Sequence, residues 1–137
     1  MRTSPKLIVA ALSLLLVIGM MPAAEAQNQS ATEFYMAYRA AFAKATKIDD
    51  LFPYMSKGTR SEVDSTPAAE RAKMFGMIKM MDTYTNVKVV KEAKTAQGVT
   101  LSVEGVDAGK AKATATVEIV REGADWKLGR ESWKGSF

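Results

Sequence analysis

The chain contains no cysteine and no histidine. Without cysteine it has no disulfide to hold it, no thiol nucleophile and no thiolate metal site. Without histidine it lacks the commonest general base and the commonest metal ligand, and every serine or cysteine triad that depends on imidazole is excluded. Charge of one sign is also scarce. Nineteen Lys and Arg stand against fifteen Asp and Glu, and the resulting +4 is spread along the whole chain. That excess is too mild to argue for a nucleic-acid partner. The residues call for no cofactor and no metal, and they assign no catalytic role.

One long hydrophobic run is present, at the N-terminus. Arg2 and Lys6 precede it, residues 7–21 (LIVAALSLLLVIGMM) are apolar apart from Ser13 and Gly19, and Ala24-Glu25-Ala26 follows with small residues where a signal peptidase reads. Residues 1–26 are therefore expected to be a cleaved signal peptide, leaving a chain that begins at Gln27 and works in the periplasm or outside the cell. The competing reading is a membrane anchor, but the run falls short of the ~20 apolar residues needed to span a bilayer and is closed by Pro22. Membrane contact is expected only through the leader before cleavage. With no cysteine, the leader is not expected to be a lipoprotein signal, and no lipid is expected on a terminal thiol. Residues 27–137 suit one domain with one core. Exported domains of this size often lean on disulfides, so an apolar core must hold this one alone.

The period of the mature chain is helical first. Ser30-Ala31-Thr32-Glu33 is a capping box, opening a helix to about Lys47 with Phe34, Tyr38, Ala41, Phe42 and Ala45 on one stripe. A short second helix is expected from Asp49 or Asp50 to about Lys57, burying Ile48, Leu51, Phe52 and Met55 and ended by Gly58. Residues 59–64 fit either a helical turn or a loop. Thr66-Pro67 is expected to open a third helix to about Met81, with Ala68, Ala72, Phe75, Ile78 and Met81 facing one way.

From Thr83 the pattern alternates. Val87 and Val89 begin it, Val99, Leu101 and Val103 continue it, and Ala111, Ala113, Ala115, Val117 and Ile119 repeat it most clearly. A last strand runs from Trp126 towards Trp133. Gly-containing turns at 96–98, 107–109 and 122–125 make these four strands antiparallel hairpin neighbours. The expected fold is α+β, with three N-terminal helices packed on a curved four-stranded antiparallel meander, a cone or roll.

This order of elements, and especially residues 117–128 (VEIVREGADWKL) with a tryptophan and a lysine opening the last strand, resembles the nuclear transport factor 2-like (cystatin-like) cone. Among its branches the chain is most similar to small exported, lumazine-binding-like domains of unassigned function. The resemblance spans about residues 30–134 and implies a curved sheet wrapped on a long helix, with a pocket inside the cone. That superfamily holds enzymes, binding domains and inert scaffolds, so membership conveys no function.

Periodicity nominates Tyr38, Phe42, Phe75, Ile78, Met81, Val103, Val117 and Trp126 as pocket lining, and equally as plain core. The expected function is a non-catalytic domain binding a small apolar ligand or a protein partner. A second reading is an acid–base enzyme of isomerase or dehydratase type, using Asp82 and a tyrosine such as Tyr84. Against it, aspartate is common where a helix stops. Strand parity also turns Tyr84 away from Val87 and Val89. A third reading is copper(I) on the thioethers of Met74, Met77, Met80 and Met81, against which methionine commonly fills core gaps or lines a pliable pocket. Trp126 and Trp133 are an odd number of residues apart, so a regular strand sends them to opposite faces. Trp133 would then mark the outer sheet face and a homodimer through it, unless a bulge at Gly129 shifts the register. The lysines at 88, 91, 94, 112, 127 and 134 read as a solvated sheet exterior.

Overall fold

Ser30 starts the first helix as its position in the capping pattern requires, its Oγ accepting the Glu33 N–H at 3.0 Å. The computed structural model describes residues 29–135, so the expected signal peptide, residues 1–26, lies outside the described residues. No described helix is long and apolar enough to cross a membrane. Helix α1 spans Ala31–Lys44 and buries Ala31, Phe34, Tyr35, Tyr38 and Phe42. It stops three residues before the expected end because Asp50 takes the next amides, accepting from Thr46 N at 3.0 Å and Lys47 N at 3.2 Å. Those two bonds hold the Asp50 carboxyl below its usual range.

The second segment, Ile48–Tyr54, is a 3-10 helix. Gly58 does not end it. Ser56 caps a further helix, α2, Lys57–Ser65, through Thr59 N, so the ambiguous stretch is helical. Thr66 belongs to the end of that helix, its hydroxyl donating to the Glu62 carbonyl at 3.0 Å. Helix α3 then runs Ala68–Met81 with Pro67 at the cap. Its expected apolar face is not a buried one: Phe75 alone is buried, while Ile78 is 42% and Met81 71% exposed. Counting the 3-10 segment, four helical pieces replace the three expected.

The strands are β1 Thr85–Lys94, β2 Gly98–Val106, β3 Lys112–Glu122 and β4 Asp125–Lys134, hydrogen-bonded in the order β1-β2-β3-β4 with every pair antiparallel. The α+β class and the meander are as the alternation predicts, in an open sheet. Leu101 faces Val117, Val103 faces Ala115 and Val99 faces Ile119, and all six are buried under the helices. Thr114, Thr116 and Glu118 on the other face are exposed. Two cross-strand rows of side chains thus form the floor of the core, and α1 forms its roof.

Strand β4 carries the feature that places the site. Glu118 pairs with Arg130, but Ile119 pairs with Leu128, so Gly129 is left without a partner. This bulge changes the side-chain parity between the two halves of the strand. Trp126, Leu128, Glu131 and Trp133 consequently all reach the helix side; Trp126, Leu128 and Trp133 pack against the core. Room for the Trp133 indole comes from small residues beneath it. A Cβ on Gly105 would lie 3.2 Å from that ring, and Ala115 is the direct partner of Trp133. The reason for a homodimer through an outward Trp133 is thereby removed.

The β2–β3 contact is tightest at Gly98, where an added Cβ would sit 2.0 Å from the Ile119 carbonyl oxygen. Gly98→Ala should cost about 1–3 kcal/mol or more, because backbone and not a flexible side chain stands in the way. A thermal melt should show a drop of several degrees; an unchanged midpoint would contradict this register.

Candidate functional site

Helix α1 sends Tyr35 and Arg39, then Tyr38 and Phe42, to the same side at one-turn spacing. Arg39 binds Asp82, at the C-terminus of α3, through both guanidinium arms at 2.5 and 2.9 Å. The pair is largely buried, each side chain 12% exposed. The same guanidinium approaches Glu131 of β4 only to 3.7 Å. Burial lowers the Arg39 pKa, but the Asp82 hydrogen bonds and the Glu131 and Asp82 charges outweigh it, and the guanidinium stays charged.

Glu131 receives less. The Tyr35 hydroxyl donates to its Oε2 at 2.5 Å, the same oxygen that Arg39 approaches. Its Oε1 has no hydrogen-bond donor among the described residues. The Trp133 indole N–H lies close enough to favour the carboxylate, yet it completes no hydrogen bond and is a buried donor without a partner. Burial is the largest influence on Glu131 and raises its pKa. Tyr35, Arg39 and Trp133 pull it down, the Asp82 charge pushes it up, and the balance is upward. Tyr35 and Tyr38 are both held protonated, by burial first and the Glu131 charge second.

Beside this cluster lies a cavity of about 420 Å³, between α1, the 3-10 helix, α2, α3 and β4. Its walls are mainly apolar: Tyr38, Phe42, Ile48, Leu51, Met55, Val63, Met74, Phe75, Ile78 and Leu128. Thr59, Glu62, Thr66, Arg130 and Glu131 supply the polar groups. Volume and composition are those of a small-molecule site. Phe42 meets Phe75 edge-on, with ring centroids 6.2 Å apart. Lys79 fixes the end of α1 against this wall, donating to the Phe42 and Ala43 carbonyls at 2.6 and 3.2 Å.

The residues named from periodicity divide. Tyr38, Phe42, Phe75 and Ile78 line the cavity. Val103 and Val117 are fully buried under α1. Met81 is exposed on α3. Trp126 lies in a separate recess with Gln29 and Glu92, its indole N–H donating to the Gln29 carbonyl at 2.7 Å and Arg121 covering its ring at 3.8 Å. Asp82 ends α3 and has both oxygens taken by Arg39. Tyr84 stands before the first strand residue and escapes the parity that would turn it outward. It stacks on Trp133 with centroids 4.0 Å apart and planes 10° apart. Of the methionine row, Met74 lines the cavity, while Met77, Met80 and Met81 are exposed and fill no core gap.

Sequence reasoning missed Glu131, Arg39 and Tyr35. The signal for the last two was their one-turn spacing on α1. For Glu131 it was Gly129, whose bulge brings Glu131 to the same face as Trp126.

The two carboxylates should respond oppositely to neutralisation. Glu131 has a folded-state pKa above its ordinary value of 4.5, so folding binds its proton and stability falls as pH rises from that ordinary value through the raised one. Glu131→Gln should therefore raise the melting temperature at pH 7.5, with a gain that shrinks towards pH 4. Asp82→Asn should lower stability by about 1.5–3 kcal/mol, the worth of hydrogen bonds to a charged group. Equal shifts for both variants in a pH series of melts would refute this assignment.

Against known proteins, no family model, no curated protein and no solved structure matches the chain.

Proposed function

We propose that the chain is an exported, non-catalytic domain of nuclear transport factor 2-like architecture that binds a small apolar ligand in the cavity between its helices and β4. The observation that carries this reading is the cavity of about 420 Å³, with aromatic and aliphatic walls and the polar groups of Tyr38 and Glu131 among its lining. Export rests on the leader pattern of residues 1–26. The architecture rests on helices followed by a four-stranded antiparallel meander.

An acid–base reading is favoured by one observation and moves to a different residue. The carboxyl raised by burial beside the cavity is that of Glu131, whereas Asp82 is locked to Arg39. Any turnover found in this cavity should be lost in Glu131→Gln.

Ligand binding is tested with a neutral, environment-sensitive fluorophore such as N-phenyl-1-naphthylamine. Saturable one-to-one binding is expected. Ile78→Arg should weaken it at least tenfold, because Ile78 lines the cavity yet is 42% exposed, so the fold tolerates the change while the wall gains a charge. Absence of saturable binding, or equal affinity in the variant, would falsify the proposal.

A further inference from the structure

Glu131 lines the cavity, and the Arg39–Asp82 pair stands behind it, outside the lining. Arg39 spends both arms on Asp82, at 2.5 and 2.9 Å, and stays 3.7 Å from Glu131. Lys79 of α3 is spent on the Phe42 and Ala43 carbonyls. Tyr35 gives Glu131 one neutral hydrogen bond, on Oε2. Across the cavity α2 adds Glu62 to the lining, and Arg130 of β4 is the one basic side chain there. Arg130 is exposed and alternates with Glu131 along the strand. An ionised Glu131 is therefore a largely buried negative charge met only by the longer Arg39 contact and one neutral hydrogen bond, with Oε1 undonated among the described residues.

Two things relieve such a charge: a proton, or a cation brought from outside. The wall beside it is apolar, so a cation carried on a hydrocarbon body satisfies both halves of the site. Resting on the ligand-binding reading above, we infer that the cavity takes an amphipathic amine, with the ammonium group against Glu131 and the Tyr38 hydroxyl and the hydrocarbon body against Phe42, Leu51, Val63 and Phe75. The ammonium donates to Glu131 Oε1 and to the Tyr38 phenol oxygen, for which the described residues provide no hydrogen bond. A fatty carboxylate is disfavoured, since it would add a negative charge beside Glu131 and Glu62, while Asp82 takes the Arg39 guanidinium and Arg130, exposed and alternating with Glu131, is turned away from it. A neutral alcohol fills the walls without matching the charge.

The test is displacement of the neutral fluorophore at pH 7.5 by octylamine, 1-octanol and octanoate, matched in length and used below micelle formation. Octylamine should displace at a concentration at least tenfold lower than octanol, with octanoate weakest. The chain as a whole is positive, at +4, so general attraction works against this order. Glu131→Gln, checked for a native circular dichroism spectrum, should cut the amine's advantage over octanol at least fivefold. Octylamine and octanol displacing equally from wild type would overturn the amine assignment while leaving the apolar pocket standing. An advantage that survives Glu131→Gln would overturn the role of Glu131. A fluorophore that never binds would remove the pocket reading itself, and the inference with it.

Discussion

The extra residue at Gly129 decides what the domain presents to its interior. A strand whose side chains alternate strictly would place Trp126 and Leu128 inside and leave Glu131 and Trp133 outside, making β4 an ordinary edge with a polar outer half. With Gly129 unpaired, both halves of the strand send their large side chains to the helices. The inner surface thereby gains an indole and a carboxylate that α1 must accommodate. Tyr35 and Arg39, one turn apart, meet the carboxylate; Tyr84 stacks on the indole. Glycine suits the bulge for a local reason: a Cβ there would lie 3.1 Å from a Val120 methyl and 3.2 Å from the Glu118 carbonyl.

The cavity follows from how little the later helices contribute. A chain without disulfides must be held by apolar burial, and that burial is concentrated between α1 and strands β2 and β3, where Tyr35, Leu101 and Val117 are completely enclosed. Helix α3 buries Phe75 alone. Met55, directly after the 3-10 segment, forms a parallel bridge with Leu128 of β4, and Lys127 reaches the Pro53 carbonyl at 2.7 Å. These segments surround the end of the α1–β4 contact without filling it, and space remains between them. Elements that bury little belong to the less stable end of a fold, where binding surfaces are usually found.

Much of the fold was legible because its signals are local. Ser30 caps α1, and residues 113–119 alternate so regularly that only a half-buried strand satisfies them. What failed were inferences that needed a partner from elsewhere. Gly58 reads as a helix end until Ser56 is seen to start the next helix. Ile78 and Met81 read as core until α3 is seen to lean on the molecule through Phe75. The site was half legible: Tyr38, Phe42, Phe75 and Ile78 were found by helical period, since apolar lining obeys the same periodicity as core. Glu131 was invisible because parity counted through a bulge gives the wrong face. Asp82 was noticed for its position, but only the distance to Arg39 separates a positioning carboxylate from an available one.

That distance also bears on why charge is buried here at all. An ion pair taken out of water seldom stabilises a fold more than apolar side chains of similar volume would, and the Arg39–Asp82 pair could in principle be replaced by such residues. Its consequence is electrostatic rather than cohesive. By occupying the guanidinium, Asp82 withholds from Glu131 the bidentate partner that would fix it as a permanent anion, and by its own charge it raises Glu131 further. A carboxyl so placed is pushed towards its protonated form beside an apolar cavity. Groups perturbed by burial together with a specific charge, and facing a cavity, are enriched at sites that bind or react. Arg39, Asp82 and Glu131 therefore form one device: the bidentate pairing of two leaves the third only a longer contact to the same guanidinium.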